Sequence, residues 1–351
     1  MAYKELAESF QKVEGKLAIS SFGNPDPDAI ACAFALGKIA DEFDIEFEYV
    51  FESSITRPEN QSLINYLGLG VKKLADFPLE EIQAMSLVDC TPFRLSQSYD
   101  TAFVDKLNDR LISVQDHHPI EDSQREQLEN QGLYVDIRPE LGACVTILAE
   151  ALAESDLNYD TETATALFYG LYTDTSSLLQ GFTSVDFQQA TRYVDAVDKE
   201  ELNDIKGADM TSETYSLMHR VTDDRFVEVR GTYKFADAGS FRSKDKFAVP
   251  QIADLLHREE GIEGIVVAGI NSDEKIIEGS VRYSGSRFTA EEIADKLANG
   301  EGSGGGHMTI GGFQIRPGVL RETIDKVPSQ EALMDSVKER FFEIVGKEAL
   351  K

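Results

Sequence analysis

The sequence predicts an α/β protein with a doubly wound, mainly parallel sheet in its N-terminal half and a smaller α/β domain with a mixed sheet in its C-terminal half. Short apolar runs alternate with helical patterns through the first half, which is typical of a parallel sheet with helices on both faces. From Phe226 the pattern changes to apolar runs that indicate a mixed sheet. The length of 351 residues fits two domains, since a domain usually has ~100–200 residues.

The elements of the first half follow one another in a regular order. The strand patterns are Lys16–Phe22, Ile45–Phe51, Met85–Val88 and Leu111–Val114, and the helical patterns are Asp28–Ile39, Thr163–Leu171 and Asp186–Val197. In the second helical pattern, apolar residues recur at the spacing of one helix face, which ends near Asp174.

A charged, helix-prone stretch, Lys199–Arg220, is predicted to connect the two domains. The strand patterns beyond it are Phe226–Phe235, Ile262–Ile270 and Ile276–Tyr283, and the helical patterns are Pro250–Leu256, Ala290–Leu297 and Ser329–Val345. The predicted organisation is a catalytic metal-binding domain at 1–198, a helical connector at 199–220 and a substrate-binding domain at 221–351.

The composition excludes several classes of protein. A net charge of −29 repels phosphate backbones, so a long nucleic-acid groove is not expected, although bound cations can still attract a small anion. The acidity fits a saline cytoplasm equally well. The chain has no apolar run of ~18 residues and starts without a secretory signal, so we expect a cytoplasmic protein without membrane partners. Cys32, Cys90 and Cys144 match no zinc or disulfide framework and are expected to be buried thiols in a reducing compartment.

Acidic residues and histidines follow the predicted first-half strands. Asp26 and Asp28 come after the first strand, between prolines that restrict the loop. Asp89 and the triplet Asp116-His117-His118 end two further strands, and Asp174 ends a helix. Ligands bind outside the carboxyl ends of the strands in such sheets, so these side chains are expected to converge there.

Packed carboxylates repel one another unless cations neutralise them, and oxygen-rich sites with a little imidazole suit Mn²⁺ or Mg²⁺. Two such ions ~3.5–4 Å apart activate a water for attack on phosphorus and neutralise charge on the phosphoryl oxygens. The sequence therefore predicts a two-metal hydrolase site.

The second half contains the glycine-rich segment Gly302-Ser303-Gly304-Gly305-Gly306-His307. Glycines permit close backbone approach, and successive N–H groups can form an anion nest to which His307 adds a donor. A flexible surface loop is the alternative. Arg282, at the end of a predicted strand, can grip phosphate with two parallel hydrogen bonds or simply be solvated.

These residues, in this order, resemble the DHH phosphoesterase superfamily. Its four motifs are matched by Asn24–Asp28, Val88-Asp89, Asp116-His117-His118 and Thr173-Asp174-Thr175. The GGGH segment, with Ser280-Val281-Arg282, resembles the DHH-associated C-terminal domain of the nanoRNase/pAp-phosphatase branch, the cyclic-dinucleotide phosphodiesterases and RecJ-type exonucleases. The likeness extends from about Ile19 to Gly312.

The resemblance implies a ligand set for two Mn²⁺ ions. Asp28, Asp89, His117 and Asp174 are expected to hold one ion, and Asp26 and Asp89 the other, with Asp89 bridging the two. Asp89, His117 and His118 are also expected to be catalytic.

The resemblance also implies how substrate is bound. His118 is expected to contact the scissile phosphate or to shape the site, and Arg282 and His307, with Gly304, Gly305 and Gly306, to bind the substrate's terminal phosphate or nucleotide. The active site is expected in the cleft between the domains, with a homodimer as one possible assembly.

One position departs from the family pattern. The family has a histidine four residues before the first Asp of its DxD motif, and this chain has Phe22, which cannot ligate a metal. Water or Asn24 can fill the gap, the second ion can arrive with substrate, or the protein can be a nucleotide-binding regulator with an impaired site. Since the other motif residues are present, an enzyme is the favoured interpretation.

The sequence-based hypothesis is a Mn²⁺-dependent phosphoesterase that hydrolyses pAp, pApA or RNA of a few nucleotides. An exopolyphosphatase or pyrophosphatase is the second enzyme alternative, and the GGGH segment disfavours it. Arg57-Pro58-Glu59-Asn60, after the second strand, is polar and can start a helix near the site.

Overall fold

The structure, a computed structural model, describes residues 2–95, 99–155, 157, 159–175, 177–179, 181–207, 211–316 and 329–346. The chain forms two compact units, Met1–Ala208 and Asp209–Lys351. The segment predicted as a connector spans this boundary: helix Lys199–Lys206 belongs to the first unit and helix Ser212–Val221 to the second, and residues 208–210 lie outside the described residues.

The first unit is built on a six-stranded sheet in which every neighbouring pair of strands is parallel. Its strands are β1 (Leu17–Ser20), β2 (Phe47–Phe51), β3 (Val71–Lys73), β4 (Ala84–Val88), β5 (Leu111–Asp116) and β6 (Tyr134–Ile137). The order across the sheet is β3-β2-β1-β4-β5-β6. The chain therefore reverses its direction of winding between β1 and β4, and this switch point is where doubly wound sheets bind ligands.

Helices cover both faces of this sheet. They are α1 (Ala2–Phe10), α2 (Pro27–Glu42), α3 (Pro58–Tyr66), α4 (Thr101–Asn108), α5 (Asp122–Asn130), α6 (Val145–Glu154), α7 (Thr161–Asp174), α8 (Ser184–Tyr193) and α9 (Lys199–Lys206). Strand β1 is wholly buried, with Leu17 and Ile19 in one hydrophobic cluster and Ala18 in a second. Side chains alternate between the faces of a strand, so apolar packing covers the sheet on both sides, as the predicted doubly wound fold requires.

The second unit contains a six-stranded mixed sheet with the order β11-β12-β10-β9-β8-β7. Its strands are β7 (Val227–Arg230), β8 (Tyr233–Phe241), β9 (Gly264–Asn271), β10 (Ile276–Tyr283), β11 (Gly302–Gly306) and β12 (Ile310–Ile315), and its helices are α10 (Ser212–Val221), α11 (Ala248–Leu256), α12 (Ala290–Ala298) and α13 (Gln330–Gly346). Among the strand pairs of the described residues in this unit, only β8 and β9 pair in parallel, which confirms the predicted mixed sheet.

The glycine-rich segment forms an edge strand, whereas the sequence predicted an anion nest or a flexible loop. Gly302–Gly306 pairs antiparallel with β12 as β11. A Cβ at Gly304 would lie 2.4 Å from the carbonyl oxygen of Ala294 in α12, so glycine lets this helix pack directly on the strand backbone. A Cβ at Gly305 would meet nothing within 4 Å, so that position faces open space.

Two further findings bear on the compositional predictions. The helices within the described part of the chain include none that is long and apolar enough to cross a membrane. Cys32, Cys90 and Cys144 are buried thiols that form no disulfide with one another.

Candidate metal centre

The side chains predicted to bind metal lie at the ends of four elements of the first unit. Asp28 is in the first turn of α2, Asp89 directly follows β4, His117 directly follows β5, and Asp174 is the last residue of α7. We refer to these four residues as the acidic cluster. Strands β1, β4 and β5 are parallel neighbours, so their carboxyl ends, and the residues that follow them, meet at one edge of the sheet.

One imidazole nitrogen of the acidic cluster lies close to three carboxylates. His117 Nε2 is 3.0 Å from Asp174 Oδ2, 3.5 Å from Asp89 Oδ1 and 3.8 Å from Asp28 Oδ2. Potential ligand atoms of Asp28, His117 and Asp174 all lie within 4.8 Å of one another, and those of Asp89, His117 and His118 form a second such group. The structure thus brings together the four side chains to which the resemblance assigned one ion, with His118 beside them.

Asp28 is held by the start of α6, a part of the chain more than a hundred residues away. Its carboxylate accepts hydrogen bonds from the backbone N–H groups of Cys144, at 2.6 Å, and Val145, at 2.9 Å. The carboxylate is fully buried, and the N-terminus of a helix favours negative charge. The sequence did not indicate this contact, because it depends on how α6 packs against α2.

Asp174 reaches the acidic cluster because α7 packs closely on α2. A Cβ at Gly170, one helical turn before Asp174, would lie 3.1 Å from the Cα atom of Asp28. Glycine therefore permits the close approach of the two helices at this point. The sequence placed Asp174 at a helix end, as observed, but gave no role to Gly170.

Asp89 adopts a left-handed backbone conformation with φ of 55°. Such a conformation is uncommon for residues other than glycine, and aspartate tolerates it better than most. Its backbone N–H donates to the carbonyl of Gln115 at the end of β5. The turn therefore fixes the direction in which the Asp89 carboxylate leaves the sheet, at the switch point between β1 and β4.

Both histidines of the triplet are oriented by their Nδ1 atoms. Nδ1 of His117 is 3.3 Å from the carbonyl oxygen of Leu141, which assigns the proton to Nδ1 and leaves the Nε2 lone pair directed at the carboxylates. Nδ1 of His118 is 2.7 Å from Asp116 Oδ1, which also accepts the His118 backbone N–H at 3.0 Å. Asp116 belongs to the Asp116-His117-His118 motif, but the sequence indicated no role for it. The structure identifies Asp116 as the residue that orients His118.

Asp26 lies beside the acidic cluster. It is the N-cap of α2, and its Oδ1 accepts a hydrogen bond from the backbone N–H of Ala29 at 3.0 Å. It belongs to neither group of ligand atoms within 4.8 Å among the described residues. Burial raises the pKa values of Asp26 and Asp89; the charge of Asp174 adds to the shift of Asp26, and the charge of Asp26 adds to that of Asp89, as expected for carboxyls at the same edge of the sheet.

The acidic cluster retains protons in the absence of a cation. Burial, followed by the charge of Asp174, raises the pKa of Asp26 to about 6 and that of Asp28 to about 8. Burial, followed by the charge of Asp26, also raises the pKa of Asp89. Burial opposes a charge on His117, but the contact with Asp174 and the charge of Asp28 outweigh it and raise its pKa to about 9. A cation that binds here must displace these protons.

The donor set fits a divalent cation that prefers oxygen and imidazole ligands. Asp89 Oδ1, Asp116 Oδ2 and His117 Nε2 are buried, and no atom in the described part of the chain forms a hydrogen bond with them. Buried polar atoms are normally satisfied, and two of these atoms, Asp89 Oδ1 and His117 Nε2, lie 3.5 Å apart, so they indicate a missing partner with positive charge. Both Mn²⁺ and Mg²⁺ suit such a set of ligands.

Phe22 occupies the position at which the family has a histidine. It is 4% exposed and packs in a hydrophobic cluster with Val50 and Leu87, and its backbone N–H donates to the thiol of Cys90 at 3.2 Å. The position therefore lies next to Asp89 but offers no ligand, and Asp26 lacks a histidine partner from β1.

Arg282, in the second unit, is buried and engaged by neighbouring groups. Its Nε lies 2.5 Å from Asp254 Oδ1, and Nη1 donates to Ser280 Oγ at 2.7 Å and to the carbonyl of Val281 at 3.0 Å. Its Nη2 has a longer contact, of 3.3 Å, with the carbonyl of Pro250. A phosphate that binds Arg282 must therefore share or displace one of these partners.

The predicted substrate-binding glycines lie on the same sheet as Arg282. In the register of the sheet, Gly305 is opposite Gly312, which is opposite Ser280, the hydroxyl that Arg282 contacts. These three small residues form a row that leads from β11 towards Arg282. His307 follows β11 directly and is exposed.

Comparison with known proteins adds a family match and a similar fold. Residues 238–331 match the DHHA1 domain. An uncharacterized protein of Methanocaldococcus jannaschii is 29% identical over 345 residues, which are 97% of this chain and 66% of that protein. The chain thus spans slightly less than two thirds of that relative's length.

The crystal structure of an exopolyphosphatase-related protein from Bacteroides fragilis has a similar fold. It aligns with a TM-score of 0.71 and 14% sequence identity, and the alignment covers 99% of this chain and 98% of that one. Together with the DHHA1 match, this fold confirms the resemblance to the DHH superfamily that the sequence motifs predicted.

Proposed function

We propose that this DHH-superfamily chain with a DHHA1 domain is a metal-dependent phosphoesterase that hydrolyses phosphate esters of small nucleotides or very short oligonucleotides. The observation that supports this most strongly is His117 Nε2, which lies within 4 Å of carboxylates from three different elements. An arrangement of this kind costs electrostatic free energy unless a cation is bound, so we infer that it is kept for metal binding.

The proposed metal ligands are Asp28, Asp89, His117 and Asp174, with Asp26 and Asp89 on the side of a second ion. Bound Mn²⁺ or Mg²⁺ would supply Lewis acidity and a water of lowered pKa. The chain's own residues set the geometry: the start of α6 fixes the Asp28 carboxylate, and Leu141 orients His117. Asp116 holds the His118 ring for contact with the scissile phosphate.

The proposed substrate is small because of the chain's charge and its second unit. A net charge of −29 opposes a long polyanion, whereas a small nucleotide needs only local positive charge. We assign binding of the terminal phosphate or nucleotide to Arg282, His307 and the row of small residues through Gly305. The substrates that fit this proposal are pAp, linear dinucleotides such as pApA, and RNA of a few nucleotides.

A release assay tests the proposal. Purified protein is incubated with pAp, pApA, cyclic di-AMP, short RNA, pyrophosphate or polyphosphate, with Mn²⁺ and Mg²⁺ compared. We expect metal-dependent release of mononucleotide or phosphate from pAp, pApA or short RNA. Asp89→Asn is expected to abolish it, while Asp105→Asn, an exposed acid on α4, leaves it intact. Equal turnover by wild type and Asp89→Asn rejects the assigned site.

Two alternatives correspond to other outcomes of the same assay. Hydrolysis of polyphosphate or pyrophosphate in preference to nucleotides favours an exopolyphosphatase-like enzyme. The similar fold of the exopolyphosphatase-related protein from Bacteroides fragilis is the reason to test these two substrates. Tight nucleotide binding without turnover favours a nucleotide-binding regulator. This alternative rests on Phe22, which cannot ligate a metal and would leave the metal site impaired.

A further inference from the structure

The loops that follow β1 and β2 are joined into one surface beside Asp26. The backbone N–H of Glu52 donates to the carbonyl of Ser21 at 3.1 Å, and the Glu52 carboxylate accepts the N–H of Gly23 at 2.7 Å. Farther along, Nδ2 of the buried Asn60 donates to the carbonyl of Pro25 at 3.0 Å. The first turn of α3 is thereby fixed against the residue that precedes Asp26.

Arg57 is the N-cap residue of α3 and lies one helical turn before Asn60. Its side chain is exposed, and no described residue forms a hydrogen bond or an ion pair with its guanidinium. Arg57 is therefore an exposed cation at the start of a helix whose first turn is fixed to Pro25, the residue before Asp26.

Arg57 belongs to the loop next to Asp26, which is the side of the site where the family's histidine ligand is replaced by Phe22. Phe22 provides no imidazole ligand for an ion on the Asp26 side, so we expect an ion to bind more weakly there than in the family pattern. A phosphate substrate brings further negative charge to the same place. The planar guanidinium offers parallel N–H donors that match two oxygens of a phosphate, and it stays protonated at all relevant pH values.

We propose that Arg57 is a phosphate-binding residue of this site and holds non-bridging oxygens of the substrate phosphate on the Asp26 side. Asn60 is the positioning residue, since its bond to Pro25 fixes the helix turn that carries Arg57. The proposal deepens the proposed function by assigning a further binding residue, but phosphate binding can be measured without turnover.

The test measures binding of inorganic phosphate to the full chain by isothermal titration calorimetry in saturating Mn²⁺. The variants are Arg57→Gln, which keeps a polar side chain and removes the charge, and Arg57→Lys, which keeps the charge and removes the two parallel N–H donors of the guanidinium. The matched control is Arg192→Gln, an exposed arginine on α8. Mn²⁺ binding is titrated separately for each protein, so that an effect on the metal is distinguished from an effect on phosphate.

We expect Arg57→Gln to weaken phosphate binding about tenfold or more, because a charged hydrogen-bond donor is lost. Arg57→Lys is expected to recover part of this loss, and Arg192→Gln to bind as wild type does, with Mn²⁺ affinity unchanged in all three. Phosphate binding by Arg57→Gln at wild-type strength overturns the proposal. A loss that follows weaker Mn²⁺ binding, or wild-type protein that binds no phosphate, overturns it as well.

The result separates the two proposals. If wild type hydrolyses none of the substrates but Arg57→Gln still weakens phosphate binding, the role of Arg57 stands and the proposed enzymatic function fails. If wild type hydrolyses nucleotides and Arg57→Gln binds phosphate normally, the function stands and the role of Arg57 fails.

Discussion

At the scale of single residues, Phe22 distinguishes this site most clearly from the family pattern. Its backbone contacts Cys90, the neighbour of Asp89, so an imidazole at position 22 is expected to come within reach of the second ion that we propose beside Asp26 and Asp89. We predict that Phe22→His lowers the Mn²⁺ concentration required for half-maximal hydrolysis. It should also destabilise the fold by about 1–3 kcal/mol, because a polar ring replaces phenyl in an apolar cluster.

Metal titrations of the rate and urea unfolding measure these two effects. Phe22→Leu serves as the control, since it shortens the side chain without adding a ligand. An unchanged Mn²⁺ dependence in Phe22→His contradicts the assignment of position 22 to the metal site.

Asp116 provides a second test at the residue scale. Its Oδ1 accepts two hydrogen bonds from His118, one from the ring and one from the backbone. We predict that Asp116→Ala lowers kcat roughly 10–100-fold, the usual cost of removing a group that orients a catalytic or ligating histidine. KM and Mn²⁺ affinity should change less. Steady-state kinetics with a parallel Mn²⁺ titration tests this, and loss of Mn²⁺ binding without a change in kcat would show that Asp116 acts on the metal instead.

The sequence predicted the residues that lie in recognisable motifs. It did not predict the residues whose role depends on packing between distant parts of the chain. Asp28, Asp89, His117 and Asp174 could be identified as candidates because they lie at the ends of recognisable elements, and the family resemblance then implied their roles as ligands. The N–H groups of Cys144 and Val145, which hold Asp28, could not, because nothing local in the sequence encodes a contact across 116 residues. Gly170 likewise acts through the packing of two helices.

At the scale of elements, the strands without a predicted counterpart are β3, β6 and β11, which lie at sheet edges, and β12, which lies between β11 and β10. Strand β3 has three residues, two of them exposed lysines, and β6 is partly exposed, so neither has the apolar run that marks a buried strand. Strand β11 reads as a loop because glycine has low strand propensity. This segment is a strand because it pairs with β12 along one edge and because α12 packs on one of its faces.

Strand β11 offers a matched pair of substitutions. Gly304→Ala places a Cβ 2.4 Å from the Ala294 carbonyl oxygen, whereas Gly305→Ala meets nothing within 4 Å. We predict that Gly304→Ala destabilises the protein by about 1–3 kcal/mol through overpacking, and that Gly305→Ala leaves stability nearly unchanged. If the row of small residues through Gly305 receives substrate, Gly305→Ala should weaken nucleotide binding at full stability.

Thermal unfolding and nucleotide titration of the two variants measure these effects. Equal stability of Gly304→Ala and wild type contradicts the close packing of α12 on β11. Unchanged nucleotide binding by Gly305→Ala contradicts a role of Gly305 in binding the nucleotide.

At the scale of the whole molecule, the acidic cluster makes stability depend on pH in a defined direction. Burial and neighbouring charge raise the pKa of Asp28 from 3.8 to about 8 in the folded chain. At Asp28 the native state therefore binds more protons than the unfolded chain between these two pH values, so the contribution of Asp28 to the free energy of unfolding of the metal-free protein falls as pH rises through that range.

Unfolding of EDTA-treated protein at a series of pH values measures this slope. Asp28→Asn removes the titrating group while keeping its shape, so the stability of wild type relative to the variant should fall between pH 4 and 8. A relative stability that rises over this range contradicts the assigned shift. Added Mn²⁺ should reverse the trend, because the cation binds the deprotonated cluster.

The central claim is that carboxylates from separate elements and His117 together bind a divalent cation. Titration of Mn²⁺ into EDTA-stripped protein, followed by calorimetry, tests it most directly with two histidine variants. His117→Ala removes the imidazole at the centre of the acidic cluster, and His219→Ala removes an exposed imidazole on α10. We predict that His117→Ala weakens Mn²⁺ binding by about tenfold or more while His219→Ala binds as wild type does. Mn²⁺ binding by His117→Ala with wild-type affinity contradicts the account.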